Sequence, residues 1–516
     1  MPAPPSPVSP GTDGIWDERR MLTPAPSSEL NTRVHQPEGF ISHSSVMSYD
    51  SALEPVAIHD GLPPRIMRHR DIVIKATQAD ILPSLALRKA LTDAFFEYAA
   101  PYFPIVDAEE KICLMRLRRS CCNKRIDNMA LLKTLCLMSC WAPASPYFVT
   151  LHGPWHWTGM AVWLAVQMGI HTQSNWAEND NAGYSRHIFW HLVNSETLMV
   201  ACWGGPRSLK LDECDVQPLS ASDFTAQSTS VLVSLHFTGL MNAVSMVSEL
   251  NTKKVVPSES EVESVIASLG AWQGDLPDEL RLYDTNGTRK SFHRYTSELH
   301  IHYLTSIIVV QMLSKDRHSP WRTSSASILA ATRIAELYGE IHCRKESVRL
   351  LSINGFIALV AAIVLVFHRP HLSEKEEERK NGIESICSVL RVISTKYGGA
   401  RSVLQIIQGL QSNHEKREPS VNSLQNSGAS YCAPWLAKTV NAYVHEIFPF
   451  PLRVDENVDV LDAAGARIDH MPGNEVGAQS SIPLEHASDT MFSLMDILEM
   501  DFDPLTTPVA SCSNTI

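Results

Sequence analysis

The sequence predicts an all-α body, and three observations carry that prediction. From about Gln78 to Phe450 apolar residues recur at spacings of three and four. Prolines fall between these periodic stretches, where they stop helices. Glycine, at 24 of 516 residues, is scarce for a loop-dense fold. The composition, 44% hydrophobic and 19% charged, allows a large core and excludes a wholly disordered, collagen-like or coiled-coil chain.

Residues 1–75 are rich in Pro, Ser and His and lack periodicity, so they are expected to be a disordered leader. The first helix is expected over Leu82–Ala99, with Leu85, Leu87, Leu91, Phe95 and Phe96 apolar and Pro101 and Pro104 as its stop. Ala130–Trp141 and Trp157–His171 form the next pair, separated by Pro143, Pro146 and Pro154. Within the later helix Ala161, Ala165 and Gly169 stand at i, i+4 and i+8, a face with little bulk that lets another backbone approach. It is therefore expected to be a central packing helix.

Further helices are predicted at Arg186–Cys202, Ser230–Leu250, Ser258–Gln273, Tyr295–Leu313, Ser325–His342, Ile353–Phe367, Gly382–Tyr397 and Trp435–Phe448. The most hydrophobic stretch, Leu350–Phe367, is about long enough to test as a membrane span. Ser352, Asn354 and Gly355 inside it favour a buried core helix. Residues 413–430 read as a polar linker, and Pro449 and Pro451 close the folded part.

Charge separates body from tail. The net formal charge is −12, and residues 454–516 carry −11 of it, with Arg467 as their one basic residue. A nearly neutral body followed by an acidic tail (451–516) argues against a surface broadly built for phosphates and points to an interaction segment. Two short basic runs, Arg65–Lys75 and Arg116–Arg125, fit nuclear import or phosphate contact, or a solvated face. Eleven cysteines, an odd number lying mostly in apolar runs, and the lack of an apolar signal segment indicate a reducing compartment.

No GxSxG elbow, phosphate loop, GxGxxG or HExxH occurs, and no cysteine pair has C-x2-C spacing. His152 with His156 straddles Pro154; His187 with His191 lies on one helix but lacks a third ligand. No catalytic residue, metal or cofactor is therefore expected. An all-α metal enzyme, the alternative, needs a third ligand near His187 and His191.

The tail holds a more specific pattern. Met491, Leu494, Met495, Leu498 and Phe502 line one helical face, with Phe492 beside them and five carboxylates interleaved from Asp489 to Asp503. Such acidic-hydrophobic alternation is the composition of activation segments that fold in a partner's apolar groove. The alternative is a C-terminal helix docked on the body.

Trp155–His171 and Arg186–Phe224 together resemble the regulatory middle domain of fungal-specific transcription factors, near the cutinase transcription factor group. Trp155, Trp157, Gly159, Ala161, Ala165, Gly169 and His171 match the first part, and Arg186, Trp190, Gly204, Pro206, Asp215, Val216 and Pro218 the second. Phe96, Pro101, Pro104 and Asp107 match the segment that leads into it. The resemblance covers roughly Leu82–Phe450. Gly205 stands where the family usually has Arg, Pro218 comes one position early, and no cysteine precedes Cys113, so the family's zinc binuclear cluster is lacking.

The resemblance implies a non-enzymatic nuclear transcription regulator, an activator of a metabolic or biosynthetic gene set. Residues 76–450 would be its regulatory domain, with Trp155, Trp157, Gly159, Ala161, Ala165, Gly169, His171 and Trp190 packing the core. The acidic tail would meet a coactivator or mediator-type protein. DNA contact would come through a partner, a homodimer or a zinc cluster outside this sequence, with no membrane involved. The rival reading is a ligand-sensing or inhibitory dimerisation module.

Overall fold

The computed structural model describes residues 75–76, 83–106, 128–144, 150–176, 182–224, 228–252, 257–311, 324–368, 370, 373–416 and 447–450. Of these, 73% are helical and none forms a strand, so the fold is all-α. Eleven helices are present among the described residues: α1 Leu85–Tyr98, α2 Asn128–Ser139, α3 Pro154–Gln167 and α4 Ala182–Trp203; α5 Thr229–Thr252, α6 Glu259–Gly274 and α7 Arg294–Gln311; α8 Ser325–Cys343, α9 Asn354–Phe367, α10 Ser373–Ile393 and α11 Gly398–Lys416. The leader except Lys75, the acidic tail and nearly all of the helix expected at Trp435–Phe448 lie outside the described residues.

Local chemistry fixes several ends. Ser84 caps α1 by accepting the Leu87 N–H, and Ser258 with Glu261 closes a reciprocal capping box at α6. Pro154 opens α3, where a missing N–H costs nothing. Gly169 differs from its sequence reading. It follows the end of α3 with φ of 72°, its N–H donating to Val166 O while Ile170 N–H donates to Ala165 O. That pair of bonds is a glycine-terminated helix end, so Gly169 stops α3 and only Ala161 and Ala165 supply its small buried face.

Two further boundaries moved. α10 begins at Ser373, nine residues before Gly382, and Gly382 lies inside it where a Cβ would stand 3.3 Å from both Ala335 and Leu365 side chains. Gly382 is thus a point of close approach of α10 to α8 and α9. α11, absent from the sequence reading, buries Ala400, Val403, Ile406 and Ile407, and carries the chain as a helix into the expected linker as far as Lys416.

The apolar side chains form two cores. The smaller joins α2, α3 and the first half of α4 around Leu132, Ala161, Val162, Ile188 and Leu192. The larger joins α5 to α11, with α9 packed against α7, α8, α10 and α11 and buried from Asn354 to Val366 except at half-buried Phe356. The most hydrophobic stretch is therefore a core helix. Thr229–Asn251 is also long and apolar enough to cross a membrane by length and composition, yet it packs against α4, α6 and α7.

Residues 101–106 stitch the cores together: Tyr102 and Phe103 enter the larger one, Ile105 and Val106 the smaller. The Tyr102 hydroxyl donates to Tyr295 O at 3.1 Å, and Ser234 Oγ donates to Pro101 O at 2.5 Å.

Two helical glycines, Gly270 of α6 and Gly382 of α10, should respond oppositely to added bulk. Gly270 has nothing within 4 Å of a built Cβ, so Gly270→Ala should stabilise by about 0.5–1 kcal/mol through helix propensity. Gly382→Val should destabilise by about 1–3 kcal/mol through overpacking, and paired thermal melts read the difference.

Candidate functional site

α4 is buried for most of its length, including His187, His191, Asn194, Glu196 and Thr197. A helix in that position must satisfy its polar side chains from neighbouring chain, not from water. The segment after it does this by turning back and running antiparallel beside it.

The turn starts at Gly204, whose φ of 68° places it in the left-handed region, with its N–H closing on Val200 O at 2.8 Å. Next, Ser208 and Leu209 N–H groups donate to the two Glu196 oxygens at 2.5 and 3.0 Å, and Arg207 donates to Thr197 Oγ1 at 3.0 Å. Further back along α4, Trp190 Nε1 donates to Gln217 O at 2.8 Å. At its first turns Arg186 pairs with Asp223, and His187 packs on Phe224 with ring centroids 4.5 Å apart. Residues 204–224 are thus a strap fastened at Glu196, Trp190 and Arg186, a rise of about 15 Å along α4.

A second seam joins the strap to the chain after α3. Gln173 N–H donates to Asp215 Oδ1 at 2.5 Å, Gln217 N–H donates to Gln173 Oε1 at 2.8 Å, and Asp215 N–H reaches His171 O at 3.4 Å. Trp176 Nε1 donates to Ile170 O, and Arg186 lies over the Trp176 ring. Burial holds the His171 imidazole below its ordinary pKa.

The sequence-predicted residues divide by position. Ala161, Ala165 and Trp190 are buried in the smaller core, Gly169 ends α3, and Trp157 and His171 are half-buried. Trp155 is 47% exposed, and its indole covers the Gly205 backbone while meeting Trp203 edge to face at 6.0 Å. A Cβ on Gly205 would stand 2.4 Å from that indole, which explains why glycine here is compatible with Trp155 in place. Gly159 has nothing within 4 Å of a built Cβ, so it is not a packing contact. The six activation-segment residues, Met491 to Phe502, lie outside the described residues.

The histidine pair of α4 serves two different neighbours. His187 goes to Phe224, whereas His191 meets Phe103 edge to face at 5.0 Å, and burial pushes its imidazole down to about 4. Among the described residues no group of three His, Cys, Asp or Glu side chains is placed to hold a metal. Burial pushes the Cys140 thiol up to about 12 and Cys214 to about 11, which removes thiolate character at neutral pH. Glu196, Arg207, Gln173 and Asp223 were missed by sequence reasoning. A lone glutamate inside HLVNSETLMVAC is the signal that could have found the first, because a carboxylate on a buried helix demands partners.

Removing the Glu196 carboxylate leaves two strap amides without their acceptor. Glu196→Ala should cost about 2–4 kcal/mol and open residues 204–224 to protease, and Glu196→Gln, which keeps one acceptor, should cost less. Thermal melts with limited proteolysis check this order.

No family model matches the chain, and no solved structure matches it. Curated relatives do. The acetamidase regulatory protein of Aspergillus fumigatus is 22% identical over 386 residues, 63% of this chain and 49% of that protein. Its counterpart from Emericella nidulans is 24% identical over 271 residues, 49% of this chain and 33% of that protein. Cutinase transcription factor 1 beta of Fusarium vanettenii is 22% identical over 261 residues, 41% of this chain and 28% of that protein. The chain spans about half or less of the length of these relatives. By sequence it is a homologue of fungal transcription regulators.

Proposed function

We propose that the chain is a transcription regulator in which the helical body is the regulatory domain and the acidic tail is an activation segment. The observation that carries this reading is the alignment with fungal regulators across 386 residues, 63% of the chain. The strap supports it, because the residues that resemble the family's motif, Arg186, Trp190, Gly204 and Asp215, each contribute a bond or a turn to the fastening of residues 204–224. The chemistry of the body also fits a scaffold: the Asp215, Asp223 and Glu196 carboxylates are all engaged in structural hydrogen bonds.

In this reading the protein works in the nucleus and is not an enzyme. Its targets are a metabolic or biosynthetic gene set, reached through a DNA-binding partner, a second copy or a zinc cluster outside this sequence. A coactivator or mediator-type protein would receive Met491, Phe492, Leu494, Met495, Leu498 and Phe502 as one apolar face, with the carboxylates steering the encounter.

A second reading is favoured by one observation. α3 exposes Trp155, Met160 and Trp163, the last at 69%, and large apolar groups gathered on one helix mark an interaction surface. A sensing or inhibitory dimerisation module would use such a face without needing the tail.

The two readings separate in a reporter assay. Residues 454–516 fused to a heterologous DNA-binding domain should drive strong output, and the Leu498→Ala, Phe502→Ala double variant should lose most of it. A silent fusion would remove the activation segment and leave the dimerisation module as the better account.

A further inference from the structure

α3 carries its largest exposed groups along one line. Trp155, Gly159 and Trp163 stand at i, i+4 and i+8, a single ridge on the helix, with Met160 beside it. Trp155, Met160 and Trp163 are all exposed, whereas Ala161, Val162 and Ala165 turn the other side of α3 into the smaller core. Gly159 interrupts the ridge: nothing lies within 4 Å of a Cβ built there, so an open notch separates the two indoles. Contacts with Gly205 and Trp203 hold Trp155 in place and fix one end of the ridge.

The chemistry around this ridge narrows what can cover it. Residues 134–177, 44 consecutive positions in a chain that is 19% charged, contain no Asp, Glu, Lys or Arg. Lys133, at the edge of that run, is buried with its Nζ 4.8 Å from the Tyr184 ring centroid. An acidic segment such as 489–503 would therefore meet no cation on α3 and would lose hydration without a counter-charge. Nucleic acid fails for the same reason. Loss of charge with enrichment of tryptophan and methionine is the composition found at the centre of protein–protein interfaces. A second copy of the chain fits this face best, because knob and notch lie one turn apart on the same ridge. A two-fold axis near Ala161 sets Trp163 of each copy over Gly159 of the other and brings no like charges together.

We propose that two copies of this chain associate through their α3 ridges, with Trp163 of each seated in the Gly159 notch of the other across a two-fold axis. This pairing rests on the dimerisation reading and gives it a surface; the acidic tail takes no part in it. Each copy offers three large side chains, and an aromatic one buries roughly 150–250 Å², so the contact falls at the small end of specific interfaces and should dissociate on dilution.

Sedimentation equilibrium of the full chain over about 1–100 µM tests it, and the mass should rise from one chain toward two. Trp163→Glu should weaken the association at least about thirtyfold, as loss of a central tryptophan does. Gly159→Leu fills the notch from its own copy and should abolish the dimer, yet leave the thermal midpoint unchanged or raised, because open space receives the side chain and leucine favours helix. A general folding defect would not give that combination. A mass that stays at one chain throughout would overturn the pairing and the dimerisation reading together. A dimer that survives either substitution would keep that reading and overturn this surface. Should Trp163→Glu fail to fold, Gly159→Leu decides the matter alone.

Discussion

A carboxylate on a helix buried between two cores must be hydrogen-bonded, and Glu196 is the group on which the rest of this body turns. Its oxygens take two backbone N–H groups from the segment that follows α4, so that segment lies along the helix it has just left. Gly204 makes the reversal possible with a left-handed backbone, and Trp190 and Arg186 fasten the returning chain at two further points. Remove that fastening, and the buried Glu196 carboxylate loses both of its backbone donors.

The same helix explains why two cores behave as one body. Ile188, Leu192 and Val193 fill the smaller core, while α4 also packs along α5 and so meets the larger. Asn194 on α4 donates to Thr238 on α5 at 2.9 Å, a polar contact that sets the register of the two helices. Residues 101–106 repeat the connection from the other side, with Tyr102 and Ile105 in different cores. The larger core is organised around α9, apolar on every side and therefore able to receive four neighbours. Where α4, α5, α7 and α9 converge, a small gap is lined by Leu198, Val247, His302 and Phe356.

Helix existence was legible in the sequence because three- and four-residue periodicity survives in each strongly apolar stretch. Ends were less legible, and glycine was the reason. Gly382 reads as a boundary, yet it serves the interior of α10 by letting two helices approach. Gly169 reads as part of a small-residue face, yet it terminates α3. α11 was hidden by Gly398, Gly399 and Gly409, although Val403, Ile406, Ile407 and Leu410 keep helical spacing. The strap was legible only as a resemblance. Its bonds join side chains to backbone groups 12 to 44 residues away, which leaves no periodic trace. Trp155 illustrates the limit of pattern alone: a motif tryptophan read as core lies over Gly205 at the surface.

The engaged carboxylates hold the chain after α4 against the body, and the strap is the part on which that shape depends. Hydrogen–deuterium exchange of the full chain tests this most directly, at peptides covering residues 204–224 beside those covering α4. The account predicts that the Ser208 and Leu209 amides exchange as slowly as those of α4, because both open only when the body does. Exchange of these two amides at the rate of an unprotected loop would contradict it.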